Sequence, residues 1–213
     1  MKDRVIAIGD IHGCATALRV LIRELKPNPQ DTIITLGDYV NRGPDSRGVI
    51  DHLIDLQSKC KLIPLLGNHD QMLLSNRANR SQIPGKPIRD QENGLESFNS
   101  KHFDFLNSCR KHYEIDSHFF LHANYDAKKS LDDQDDYTML WSHLDSRLPK
   151  RHTSKKIAVV GHTEQQSGEI LNQGHLICID TYCYGDGWLT ALDVRSGTLW
   201  QANQESEIRQ SRL

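Results

Sequence analysis

Val5-Ile6-Ala7-Ile8-Gly9-Asp10-Ile11-His12-Gly13 couples a short apolar run to an aspartate and a histidine held between glycines. The same grammar returns four times. Thr32 to Leu36 runs into Gly37-Asp38-Tyr39-Val40-Asn41-Arg42-Gly43, and Leu62 to Leu66 into Gly67-Asn68-His69-Asp70. Phe119 to Leu121 runs into His122-Ala123, and Ile157 to Val160 into Gly161-His162. Runs of this length, partly β-branched, read as buried strands, and in layered α/β proteins ligands gather beyond the carboxyl ends of strands. Five such ends on one edge would pool carboxylates, an amide and imidazoles into a metal-centred hydrolytic site.

The intervening segments read as covering helices. From Ala15 to Lys26, Leu18, Leu21, Ile22 and Leu25 recur with helical spacing, and Lys26-Pro27-Asn28-Pro29 ends the run. From Pro44 to Lys59, Val49, Ile50, Leu53, Ile54 and Leu56 make a second apolar face behind Pro44 and Asp45. Strand, helix, strand, helix, strand implies right-handed crossovers and a parallel sheet over the first 66 residues or so. A polar excursion at about 75–97, punctuated by Pro84-Gly85-Lys86-Pro87, reads as the loop that shapes the substrate site. A short amphipathic helix with Phe98, Phe103 and Leu106 follows. Beyond His162 the pattern alternates through Leu176 to Ile179, Trp188 to Leu192 and Thr198 to Trp200, with Arg195-Ser196-Gly197 as a hairpin turn. That predicts an antiparallel β layer, followed by a frayed polar C-terminus over the last ten or so residues.

At 213 residues, 37% hydrophobic and 25% charged, the chain reads as one domain with a full core. Lys+Arg 26 against Asp+Glu 28 leaves a net charge of -2, so no global basic field favours a nucleic acid polymer or an anionic membrane. Phosphate must be attracted locally. Cys14, Cys60, Cys109, Cys178 and Cys183 form no CxxC pair, which points to a reducing compartment and a cytoplasmic location. No run resembles a signal peptide or approaches the roughly 20 apolar residues of a membrane span.

The donor types set the chemistry. Asp10 and His12, one residue apart on a tight loop, can reach one ion. Asp38 has two oxygens and can bridge two ions, and Asn68, His122 and His162 suit the second. A mixed nitrogen and oxygen shell fits two divalent or trivalent ions such as Mn, Fe or Zn, with manganese as the working assumption. Asp132, Asp133, Asp135 and Asp136 read as a solvated acidic loop. His52, His102, His112, His118, His152 and His175 read as surface or helix-packing residues, and Cys178 and Cys183 as buried thiols. Arg77, Arg80, Lys86 and Arg89 read as solvated cations within reach of extended phosphates.

Taken in order, the five blocks resemble the signature of the phosphoprotein phosphatase family of calcineurin-like metallophosphoesterases, in the form of the bacterial Ser/Thr protein phosphatases. The resemblance spans about residues 5–190. It implies a sandwich of two β-sheets flanked by helices with a dimetal site at the strand ends. It also implies cleavage of phosphomonoesters by a metal-bridged hydroxide. Asp10, His12 and Asp38 fall at the first metal, and Asp38, Asn68, His122 and His162 at the second. Arg42 falls on the phosphate-binding arginine, His69 on the general acid, and Tyr184, with Tyr182, on a loop beside the site. Asn68 is also adjacent to substrate.

Three residues depart from that pattern. Asn41 replaces the aspartate that charges the catalytic imidazole, keeping an amide oxygen to accept a hydrogen bond but no negative charge. Asp70 stands where protein phosphatases carry glutamate, a form that resembles the symmetrical dinucleoside tetraphosphate hydrolases. His143, closing Leu140-Trp141-Ser142-His143, replaces a second arginine on the phosphate. The expected substrate is a phosphorylated protein or a small phosphate ester, with a dinucleoside polyphosphate as the runner-up. A phosphate-binding module with weakened turnover is the third reading.

Overall fold

The computed structural model describes residues 3–80, 98–144 and 148–213. Its first sheet is built from β1 (Val5–Ile8), β2 (Thr32–Thr35) and β3 (Lys61–Pro64), which run parallel. The crossovers are α1 (Ala15–Leu25) and α2 (Ser46–Leu56). Each helix is amphipathic: α1 buries Leu18, Val20, Leu21 and Leu25, and α2 buries Val49, Ile50, Leu53 and Leu56. Full burial of such a side chain stabilises the fold by about 1.5–3 kcal/mol. Asp45 caps α2 by accepting the Gly48 amide, and Lys26 ends α1 in a left-handed conformation.

Next come α3 (Asn68–Arg80), α4 (Ser100–Asn107), β4 (His112–Glu114), β5 (His118–Leu121), α5 (Asp136–Trp141) and β6 (Ile157–Val160). The chain closes with β7 (Leu171–Asn172), β8 (Leu176–Cys178), β9 (Asp180–Thr181), β10 (Trp188–Asp193), β11 (Thr198–Ala202) and β12 (Ile208–Arg212). The first sheet has the order β12-β11-β10-β1-β2-β3, with β9 on β10, and the second the order β4-β5-β6-β8-β7.

Strand alternation builds the sandwich. On β1, Ile6 and Ile8 face the helices α1 and α2, while Val5 and Ala7 pack with Phe120 of β5, Val159 of β6 and Ile177 of β8. On β5, the flanking Phe119 and Leu121 turn instead to Tyr125, Leu131 and Leu144 on the far side of the second sheet. Four layers result, two of them sheets, which is the expected two-sheet α/β sandwich.

Several sequence expectations are corrected. Leu176–Cys178 lies in the second sheet, parallel to β6, so the C-terminal strands form no layer of their own. β10 to β12 extend the first sheet antiparallel from β1, with the expected turn joining β10 to β11. Instead of fraying, Ile208–Arg212 pairs with β11 over five residues. A strand exposed on the sheet edge needs no apolar alternation, so no hydrophobic period marks it. Within the excursion, residues 75–80 continue α3, and the rest, with Lys86 and Arg89, lies outside the described residues. In the acidic stretch, Asp135 caps α5 by accepting the Thr138 amide at 2.9 Å, and Asp136 sits in its first turn. His118 and His152 are buried. No helix among the described residues is long and apolar enough to cross a membrane.

Between α1 and β2, Asp31 is 1% exposed and accepts from Arg4 at 3.0 and 2.5 Å and from the Asn28 amide at 2.9 Å. Burial by itself would raise its carboxyl, but these donors hold it below the usual value. Asp31→Asn should therefore cost about 1–3 kcal/mol in urea unfolding at pH 7. A folded-state pKa below the unfolded value near 3.9 means a contribution present above that pH and lost as pH falls. The gap between the two proteins should accordingly close in acid; an undiminished gap at pH 3 would assign the effect to shape alone.

Candidate metal centre and catalytic cleft

The carboxyl ends of β1, β2 and β3 in one sheet and of β5 and β6 in the other meet at one edge of the sandwich, and all five blocks converge there. The turns that bring them together are backbone-strained. His12, Asp38, Asn41, Arg42 and His162 adopt positive φ of 45°, 52°, 68°, 70° and 62°. Such non-glycine conformations cost on the order of 1–3 kcal/mol each and persist where surrounding contacts over-determine them. The glycines leave room for this. A Cβ on Gly67 would lie 2.1 Å from Asp38 Oδ1, and one on Gly161 would lie 2.0 Å from Asp10 Oδ1.

Asp70 is the clasp. Fully buried, its carboxylate accepts the backbone amides of Asp38 at 2.8 Å, Tyr39 at 3.0 Å and Gly67 at 3.0 Å, binding the second and third blocks together. Burial raises its carboxyl to about 6 against those three donors. The Asp38 carbonyl in turn accepts from Ile11 at 3.1 Å and His12 at 2.7 Å, joining the first block.

Two ligand clusters share Asp38. His12, Asp38 and His69 have donor atoms within 4.8 Å of one another, as do Asp38, His122 and His162. The His12 Nε2 to Asp38 Oδ2 distance is 3.3 Å, and His122 Nε2 to Asp38 Oδ1 is 3.6 Å. The Asn68 amide oxygen lies 3.0 Å from His122 Nε2, 3.3 Å from His162 Nδ1 and 3.1 and 3.2 Å from the Asp38 oxygens. His12 Nδ1 and His122 Nδ1 contact the Val40 and Leu36 carbonyls at 3.1 and 2.8 Å, a pairing that leaves each Nε2 for a ligand.

Asp10 lies outside both compact clusters, the first of which contains His69 beside His12 and Asp38. Its Oδ2 accepts the His162 amide at 3.0 Å, while Oδ1 is buried without a hydrogen-bond partner. An unpartnered buried carboxylate oxygen and an amide oxygen crowded among acceptors are both satisfied by cations. Protonation tells the same story. Burial, then the charges of Asp180 and Asp38, push Asp10 well up, and burial, then Asp70, does so to Asp38. Burial lowers His12 to about 3 and keeps His122 well below its usual value, so the imidazoles are neutral ligands. The donor set fits two cations, one toward His12 and one toward His122, with Asp38 between.

The cleft beside these clusters encloses about 290 Å³ and is lined by Arg42, His69, Met72, Trp141, His143, Glu164, Asp180 and Tyr184, among others. The Asn41 amide nitrogen lies 3.0 Å from His69 Nδ1, so the contact runs through the nitrogen, where the sequence pointed to the oxygen. His69 is thereby an acceptor at Nδ1 and carries its proton on Nε2. Burial, then Arg42, lowers it to about 4, so it is a neutral imidazole at physiological pH. His143 is exposed and its ring packs tilted against His162, centroids 4.3 Å apart. Trp141 is fixed by its indole N–H to Gln71 at 3.2 Å.

Asp180 and Glu164 were missed in the sequence. Asp180, on β9, is raised to about 7 by burial. Its local signal, an Ile-Asp-Thr step at a strand end, is too common to single out. Tyr184 reaches the cleft as expected, its ring 4.9 Å from His12.

One family model covers nearly the whole chain. The model described as calcineurin-like phosphoesterase matches residues 3–188. A symmetrical bis(5'-nucleosyl)-tetraphosphatase of Pectobacterium atrosepticum is 42% identical over 89 residues, 41% of this chain and 30% of that protein. Serine/threonine-protein phosphatase 1 of Salmonella typhimurium is 40% identical over 75 residues, 35% of this chain and 33% of that protein. In both cases the aligned stretch spans a third or less of the relative's own length. Among solved structures, one described as a candidate diadenosine tetraphosphatase superposes with a TM-score of 0.73 at 24% identity, covering 100% of this chain and 94% of that one. A cold-active protein-tyrosine phosphatase of a Shewanella species gives 0.66 at 17%, covering 98% and 80%. These superpositions show the fold.

Proposed function

The chain belongs to the calcineurin-like phosphoesterase family, and from that premise we propose that it is a dimetal phosphohydrolase acting on phosphoanhydrides of the dinucleoside polyphosphate type. Asp10, His12 and Asp38 would hold one cation, and Asp38, Asn68, His122 and His162 the other, with manganese, iron or zinc suiting the donors. Bound there, the pair supplies a nucleophilic water of lowered pKa and charge on the phosphoryl oxygens.

The chain's own groups do the rest. Arg42 presents a planar fork to two phosphoryl oxygens and opposes the charge of a loose transition state. His143, an imidazole where a guanidinium would grip harder, leaves the cleft's hold on a phosphomonoester modest. His69 donates from Nε2 to the leaving oxygen, and Asn41 fixes that tautomer. The single observation that carries the substrate reading is the neutral Asn41 amide 3.0 Å from His69 Nδ1, where a carboxylate would favour the imidazolium; burial lowers the imidazole pKa in the same direction. A neutral imidazole is a weak acid, so it suits a leaving group that needs little protonation. The phosphate released from an anhydride is such a group; a serine alkoxide is not.

A second reading, a Ser/Thr protein phosphatase, is favoured by the Salmonella relative and by the Leu140-Trp141-Ser142-His143 stretch at the cleft. We place the working protein in the cytoplasm, where five free thiols stay reduced. Manganese-loaded protein assayed in parallel should show a higher kcat/KM for diadenosine tetraphosphate than for a phosphoserine peptide, by roughly ten-fold or more if leaving-group acidity governs the rate. Faster release of phosphate from the peptide would reverse the order of the two readings.

A further inference from the structure

Arg42 is exposed and stands on a strained turn, with Asn41 and Arg42 consecutive at positive φ. Its guanidinium lies 5.1 Å from the centroid of the Tyr184 ring. A flexible side chain on a strained, solvent-facing turn needs an outside support to present its fork in one orientation, and a cation–π contact is such a support only if the ring is itself fixed. Tyr184 is fixed from two directions. Its loop is tight, with the Gly185 and Gly187 amides both donating to the Tyr182 carbonyl at 3.1 Å. At its far end the phenol donates to Glu164 Oε2 in a short hydrogen bond, and Glu164 Oε1 accepts from Gln166 Nε2 at 2.9 Å. Glu164 is half-buried and lines the cleft, yet belongs to neither ligand cluster.

We propose that Glu164 is a positioning residue: it tethers the Tyr184 phenol, and the tethered ring holds the Arg42 guanidinium where the substrate's phosphoryl oxygens arrive. The inference rests on the reading of Arg42 as the phosphate-binding arginine. Glu164 itself touches no reacting atom; it acts through the ring.

The test uses the metal-loaded protein, p-nitrophenyl phosphate as substrate and inorganic phosphate as competitive inhibitor. Glu164→Ala should raise KM and the phosphate Ki together by about three-fold to five-fold, the size of an exposed cation–π contact, while kcat stays within about two-fold. Tyr184→Phe, which keeps the ring and loses the tether, should reproduce that change, and the double variant should be no worse than either single one. Glu164→Gln retains an oxygen that accepts the phenol and should restore KM to near the parent value. Tyr184→Phe and Glu164→Gln keep the test decisive should Glu164→Ala fail to fold.

Arg42→Ala separates the two layers of the argument. If it raises KM and Ki but Glu164→Ala and Tyr184→Phe change neither, the tether is refuted and the reading of Arg42 stands. If Arg42→Ala leaves both constants unchanged, the reading of Arg42 fails and takes the tether with it. A Glu164→Gln protein as impaired as Glu164→Ala would show that charge rather than the hydrogen bond matters, and multiplying effects in the double variant would show that the two residues act separately. Either result overturns the proposal.

Discussion

Asp38→Asn is expected to abolish measurable hydrolysis, a loss of about 10³-fold or more in kcat/KM, because one carboxylate serves both clusters and the shared nucleophile depends on both cations. Its oxygens lie between His12 and His122, and Oδ1 also accepts the His69 amide at 2.9 Å. Asparagine has nearly the same shape and hydrogen-bonding reach, so the block turns should survive, but the bridging charge is gone. The metal-free fold should respond in the opposite direction. Asp10, Asp38, Asp70 and Asp180 are all buried, with carboxyls pushed up by burial and, for Asp10 and Asp38, by repulsion from neighbouring carboxylates. Ionising this cluster without cations is costly, so chelation should lower the melting temperature of the parent protein. The metal-free variant should melt at or above the metal-free parent, as expected when function is built on ground-state strain. Full activity with normal metal content in Asp38→Asn would sink the dimetal reading. A metal-free variant that melts well below the parent would show that the carboxylate stabilises the fold through hydrogen bonds instead.

His69→Asn should reduce kcat by about 10² to 10⁴ on an alkyl phosphomonoester, whose leaving group needs the proton, and by less on a dinucleoside polyphosphate, while metal content measured by elemental analysis stays within experimental scatter of the parent. The amide keeps the volume and one donor but not the imidazole's proton at Nε2. Because His69 shares the first cluster with His12 and Asp38, the metal measurement is informative. Parallel loss of metal and turnover would make His69 a ligand and not the proton donor. The pH profile of the parent supplies a second check. With its pKa lowered to about 4, His69 is neutral above roughly pH 5, so kcat/KM should show no decline through pH 6 to 7 of the kind an essential imidazolium produces as it loses its proton. Cations bound nearby would push that pKa lower still, which keeps the sign of the expectation. A descending limb near 6.5 that disappears in His69→Asn would show that the imidazolium is the working acid.

The amino-acid sequence carried the proposed ligand set because each candidate donor sits in a block whose local pattern, apolar run then glycine then polar residue, is also its structural context. Asp10, His12, Asp38, Asn68, His122 and His162 could be read that way, and the parallel order of β1, β2 and β3 followed from the helices between them. Leu176–Cys178 could not be assigned to its sheet, since a three-residue apolar strand fits either sheet equally and only docking against β6 chooses. β12 is polar and exposed, so its pairing with β11 comes from backbone hydrogen bonds that leave no hydrophobic period behind.

Within the cleft the division is the same. The order of the blocks determined which residue types gather at the proposed metal and phosphate site. Tertiary contacts alone decided that His69 rather than Asp10 shares the compact cluster with His12, and that the Asn41 nitrogen faces the imidazole. They also brought Asp180, Glu164 and Tyr184 to the same wall. These outcomes depend on left-handed turns, side-chain rotation and burial, which are properties of chain segments packed against one another and have no counterpart in the linear order of residues.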